Sequence, residues 1–253
     1  MDKRVIWRWA VVVLLATGGA AAAERSLTLE AYKAALLQAS GHPNELNRWH
    51  GLWHYDNDRH DQALKHFLRA AEYGDKPSQH FISLMYWNGD GVKRDPVQAY
   101  VWADLAAERG NNTELLRMRE SIWQELTPAQ QAQSLGLGVG YYDRYGDTAA
   151  QRRTDAEIRR FARNQTGSRT GLLTSQMDVN MGRPELWSGG AEPKFGPVKS
   201  TGTAFYGDSR TRPKAYWQAE DLTFGALIDQ VGTGTVQVRD VEVVKDPPPS
   251  TDE

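Results

Sequence analysis

Cysteine is absent from all 253 residues. That excludes disulfides, thiolate metal sites, a lipid-modified cysteine and a cysteine nucleophile. Histidine is scarce: there are 6, and none follows His80. The long C-terminal stretch therefore has no imidazole to act as general base. No G-x-S-x-G elbow occurs, so nothing in the pattern points to a serine nucleophile. An excess of one charge is also missing. With 30 basic and 32 acidic residues the net charge is −2, too small to drive the chain toward nucleic acid or membrane. No apolar run approaches the roughly 20 residues that span a bilayer.

What the N-terminus does have is a leader pattern. Lys3, Arg4 and Arg8 precede the apolar run Trp9–Ala16, and Gly18–Ala23 closes on small residues. This is the layout of a secretory signal peptide, with cleavage expected between Ala23 and Glu24 and no transmembrane span left afterwards. An uncleaved anchor is the alternative.

The strongest pattern is internal repetition. Gln62-Ala63, His66, Ala70-Ala71-Glu72 and Gly74 recur 36 residues later as Gln98-Ala99, Trp102, Ala106-Ala107-Glu108 and Gly110. In the helix before each of these the offset is 32, placing Leu52 with Leu84 and Tyr55 with Trp87. Periods of this length mark stacked helix hairpins. Asp95-Pro96-Val97-Gln98 reads as an N-cap, a proline at the first helical position and a reciprocal glutamine. Gly110 is placed to end that helix in the left-handed conformation, and Asp58 to cap the second helix of the first repeat.

On Leu84-Met85-Tyr86, Gly89-Asp90-Gly91-Val92, Asp95, Ala99, Trp102, Ala106-Ala107-Glu108 and Gly110, the segment resembles a Sel1-like repeat, a relative of the tetratricopeptide repeat. The resemblance covers about Asn44–Tyr145. It implies a mainly α, α/α solenoid used for binding, with few enzymes and with adaptor roles in envelope assemblies.

The whole chain divides into a leader (1–23), the helical repeat domain (26–146), a basic helix with flexible linker (147–200), a small β-rich module (201–246) and a disordered acidic tail (247–253). Within the repeat domain a helix over Thr28–Ala39 comes first. Thr113–Glu125 continues the repeat with Arg119 in the slot of Gly51 and Ser83, where a small residue lets helices approach. That departure marks a capping unit, and Thr127-Pro128-Ala129-Gln130 starts a closing helix. The module rests on Thr203–Tyr206, Ala215–Ala219 and Thr235–Val244, rich in Thr, Tyr, Trp and Val. Gly167–Pro197 has no period and reads as loop.

Candidate chemistry is sparse. His50 and His54 stand four apart in HGLWH, yet the glutamate of a zinc-protease helix is missing. They match Ile82 and Tyr86, so they read as core, and His60, His66 and His80 have no carboxylate at ligand spacing. Neither metal nor cofactor is predicted. Gly89-Asp90-Gly91 lacks the oxygen ligands of a calcium loop.

The best functional feature is an aromatic column: Tyr55, Trp87 and Trp123 hold one slot in three successive first helices. In tetratricopeptide-like stacks that side lines the concave groove. Arg48 and His80, then Asp56, Asn88 and Gln124, fall around it. Aromatics with polar neighbours suit an extended peptide, a protein surface or an envelope polysaccharide. Packing against the next repeat is the competing reading. Arg152, Arg153, Arg159, Arg160 and Arg163 form a second candidate, for anionic lipid or polymer, against a plain solvated face. The function expected is non-enzymatic binding or scaffolding in the periplasm of a Gram-negative bacterium, with a hydrolase in the C-terminal module as the alternative from another class.

Overall fold

The computed structural model describes residues 27–163, 178–180, 199–201 and 205–232. The expected leader, the strand at Thr235–Val244, the tail from Pro247 and most of Gly167–Pro197 lie outside the described residues. The chain is mainly helical: α1 (Leu29–Gln38), α2 (Pro43–Asp56), α3 (His60–Ala71), α4 (Lys76–Asn88), α5 (Pro96–Ala107), α6 (Thr113–Glu125), α7 (Pro128–Tyr145) and α8 (Asp147–Arg163). A short antiparallel ladder of β1 (Asp178–Asn180) and β2 (Lys199–Thr201) follows, with Val179 opposite Ser200. Helices α9 (Asp208–Thr211) and α10 (Pro213–Gly232) come last among the described residues.

Helix α2 lies along α3, and α4 along α5, as two hairpins stacked through α3 and α4. Leu52, Phe67, Ile82, Met85, Trp102 and Leu105 join across them in one buried cluster. The repeated small residues explain how close the helices come. Ala63, Ala70, Ala71, Ala99, Ala106 and Ala107 are all buried, and Ser83 Oγ donates to the Ala99 carbonyl at 2.8 Å. A Cβ at Gly51 would run into the Phe67 ring. Ala99→Leu should accordingly cost about 1–3 kcal/mol through overpacking, read from the denaturant midpoint. An unchanged midpoint would contradict this packing.

The glycine-rich turn does more than reverse the chain. Gly89 and Gly91 adopt φ of +84° and +68°, conformations that disfavour a side chain. A Cβ on Gly91 would also sit 2.6 Å from His60 Cβ, so the bare backbone lets this turn lie on the start of α3. Asp95 caps α5 at the Val97 and Gln98 amides, and Gly110 takes φ +65°. The reciprocal glutamine is a correction: Gln98 Oε1 accepts from Tyr141 at 2.8 Å instead. Asp58 is another, since it holds φ +57° without capping α3.

Helix α7 opens with the expected capping box, Thr127 with Gln130. It does not run along α6 but turns to pack on α5, setting Tyr141 and Tyr145 against Trp102. No close approach between α6 and α7 is needed, so Arg119 is tolerated where Gly51 and Ser83 stand in the full repeats. Its guanidinium lies 3.4 Å from Asp104.

The expected β-rich module is corrected over Ala215–Ala219, which belongs to α10. Phe205 is likewise not in a strand. Ala, Gln and Glu favour helix, and Tyr216 and Phe224, eight residues apart, are both buried on one face. The face matters because α8 and α10 cover the turns that join the hairpins. Tyr216 OH accepts from Asn44 Nδ2 at 2.6 Å, Thr154 Oγ1 donates to the Tyr73 carbonyl at 2.6 Å, and Phe224 packs with Ala106, Ala107 and Leu115. The boundary expected at Gly146 therefore separates residues in contact.

Candidate binding surface

The three column aromatics are all half-buried, but in different company. Tyr55 leans on His60 and Phe81, and its hydroxyl donates to Asp90 Oδ2 at 2.9 Å. Burial, then the Asp90 carboxylate, push its pKa above the usual phenol range. This ring fastens the turn of the second hairpin to the first, so packing accounts for it. Trp87 carries the Arg94 guanidinium 4.8 Å above its ring, while Arg94 Nε donates to the Trp87 carbonyl at 2.9 Å. Trp123 rests on Tyr100, ring centres 4.7 Å apart. Exposed Asn88 and Gln124 follow these two rings on their helices.

The polar members divide. Asp56 accepts the Leu27 amide at 2.8 Å and so anchors the segment before α1. Arg48 and His80 leave the groove altogether. The Arg48 side chain keeps only 13% of its surface, with Asp75 at 3.4 Å and Glu220 at 2.8 Å. Burial opposes its charge, yet Asp75 and Glu220 hold its pKa above normal. His80 is buried, and burial lowers its pKa to about 4. Both lie in the first half of their helices, where the C-terminal helices close over the fold. Gln79 beside His80 donates to the Tyr145 carbonyl at 3.0 Å.

A second ionic group lies at the same edge. Lys76 reaches Glu108 at 2.8 Å and Asp147 at 3.1 Å. Arg109 reaches Asp147 at 2.8 Å and Asp221 at 2.5 Å. Burial would raise the Asp147 pKa, but Arg109 and Lys76 hold it below the carboxylate range. These contacts assemble from three helices, α4, α8 and α10, and the turn after α5. In the sequence the only signal for Glu220 was its place midway between Tyr216 and Phe224.

The arginine-rich helix resolves mostly into structure. Arg153 Nε donates to the Glu72 carbonyl at 2.6 Å. Arg159 faces Asp155 at 3.4 Å and Arg160 faces Glu157 at 3.8 Å, pairs within the helix. Arg152 and Arg163 are exposed. Such spacing fits a solvated face.

His50 and His54 are half-buried and stand outside the core cluster, a correction to the core reading, and His66 of α3 joins them. Ring centres are 5.0 Å apart for His50 and His66, and 5.3 Å for His54 and His66. That meeting was not expected from sequence, because it needs the helix pairing. Among the described residues no three His, Asp or Glu side chains surround one ion position, and no helix is long and apolar enough to cross a membrane.

Stacked hairpins, small-residue contacts at equivalent positions and a glycine turn seated on the preceding hairpin agree with the comparison against family models, where residues 49–75 and 76–111 match the Sel1 repeat. The chain carries two Sel1 repeats. No curated protein and no solved structure gives a significant match. The first Sel1 repeat spans most of α2 and all of α3, and the second spans α4 and α5. Half-buried Trp87 thus belongs to the second Sel1 repeat, while Trp123 lies just beyond it on α6. Sel1 repeats generally mediate protein–protein interaction and are typically not enzymes.

Proposed function

We propose that the protein is an exported, non-enzymatic scaffold of the bacterial envelope that binds a protein or peptide along its first helices, through Trp87 and Trp123. The observation that carries this reading is the pair of half-buried tryptophans in equivalent slots of α4 and α6, each followed by an exposed amide side chain. A tryptophan offers a large rigid contact at small entropic cost, and aromatic anchors dominate most interfaces. Arg94 fixes the Trp87 ring before any partner arrives. The leader pattern Lys3–Ala23 supports export, and the periplasm is the compartment proposed. Tyr55 is left out of the surface because Asp90 and Phe81 use it. A polysaccharide is the alternative occupant, since sugars also stack on tryptophan.

The test is affinity capture from periplasmic extract with wild type and Trp87→Ala. The variant should lose about tenfold or more in retention of the captured partner, equivalent to about 1.4 kcal/mol. Retention equal to wild type would exclude Trp87 from the interface.

A further inference from the structure

The three clustered histidines have no part in that surface. They sit where α1 docks. Tyr32 of α1 stacks on Trp53, ring centres 4.6 Å apart and planes 8° from parallel. Its hydroxyl meets His50 Nδ1 at 2.7 Å. Behind His50 lies His66, and against His66 lies His54, nearly parallel at 10°. The proton on His66 is placed by its neighbour. Asn47 Nδ2 donates to the Pro43 carbonyl at 2.8 Å, so the amide oxygen faces His66 Nδ1 at 3.3 Å and accepts from it.

The surroundings add positive charge. Arg59 in the turn acts on Tyr32 and His54, and Arg69 of α3 acts on His66. Asp61 of α3 is the one acid that acts on His54. Among the described contacts, α1 packs chiefly on α2. Its far end is held separately, because Arg210 donates to the Gln38 and Ser40 carbonyls. Its first turns depend on Tyr32, with the Leu27 amide on Asp56.

We propose that this trio is an acid-sensitive latch: charging the imidazoles drives the first half of α1 off α2 and uncovers the Trp53 face. Stacked imidazolium ions at these separations repel, and α1 rests chiefly on the one neighbour that carries two of them, α2. Burial lowers the pKa of all three histidines, followed by His54 for His50, Arg59 for His54, and His50, His54 and Arg69 for His66, which falls to about 4. Undocking removes Tyr32 from His50 and admits water to that ring, so burial no longer holds its pKa down. The undocked state therefore binds more protons below about pH 6.5, and falling pH favours it.

Hydrogen exchange on the full chain reads this directly. Between about pH 7 and about pH 4.5, protection factors over Leu27–Leu36 should fall about tenfold or more while those in α4 and α5 persist. His66→Leu should keep α1 protected at the lower pH. Tyr32→Phe should loosen α1 already at neutral pH, with α4 and α5 unchanged. Should His66→Leu fail to fold, His54→Gln, at the most exposed ring of the three, must shift the opening to lower pH. Loss of protection in α1 and α5 together, or an α1 indifferent to pH in wild type, would overturn the latch.

Discussion

Arg48→Ala is expected to destabilise the protein by about 3–5 kcal/mol, because it strands two buried carboxylates. Asp75 is fully buried as a side chain, and Glu220 retains only 17% of its surface. Asp75 keeps partners in the Ser78 amide and hydroxyl, so Glu220 is the group most exposed to the loss. Burial already raises the Glu220 pKa to about 7 against the pull of Arg48. Without Arg48 it should take up a proton on folding, so the variant should recover part of its deficit as pH falls from neutral. Adding Glu220→Gln should recover a similar part at neutral pH. Denaturant unfolding at two pH values measures all three species. A cost for Arg48→Ala below about 1 kcal/mol would mean the pair behaves as a surface salt bridge.

Trp102→Ala should cost about as much, 3–5 kcal/mol, for a different reason. The side chain is 1% exposed. It touches Tyr141 and Tyr145, so its removal opens a cavity where α5 meets α7. Its Nε1–H has no hydrogen-bond partner among the described residues. Trp102→Phe should thus cost distinctly less, as the smaller ring also removes an unmet donor. The control is Trp87→Ala, whose half-exposed ring should lower the unfolding midpoint far less. Equal losses for Trp87→Ala and Trp102→Ala would place the column in the core and remove the proposed surface.

The repeats were legible because their signals are local. Alanines at fixed offsets, Asp95-Pro96 and Gly110 each act within one hairpin, and pattern alone located them. The same logic failed for Gln98, Arg48 and His80. Each is periodic in sequence, yet Gln98 owes its environment to Tyr141 and Arg48 to Glu220, on helices far along the chain, and His80 is buried. Ala215–Ala219 misled through its Tyr and Trp, residues common in strands whose preference reflects packing more than backbone. The four-residue step from Tyr216 to Glu220 to Phe224 was the better guide. The aromatic column was legible as a register but not as a single environment, since Asp90 takes Tyr55 and leaves the tryptophans half open.

The cover formed by α8 and α10 has a consequence for the order of assembly. Arg48 and Glu220 are 172 residues apart in the chain, whereas each repeat hairpin closes within a few dozen. Local contacts form first, and distant ones wait on the entropy of closing a long loop. During synthesis the hairpins can be complete while residue 220 has not yet emerged, with Arg48 still hydrated. Docking of α10 then becomes the slow, sequence-distant step, the one most open to interception by chaperones or proteases.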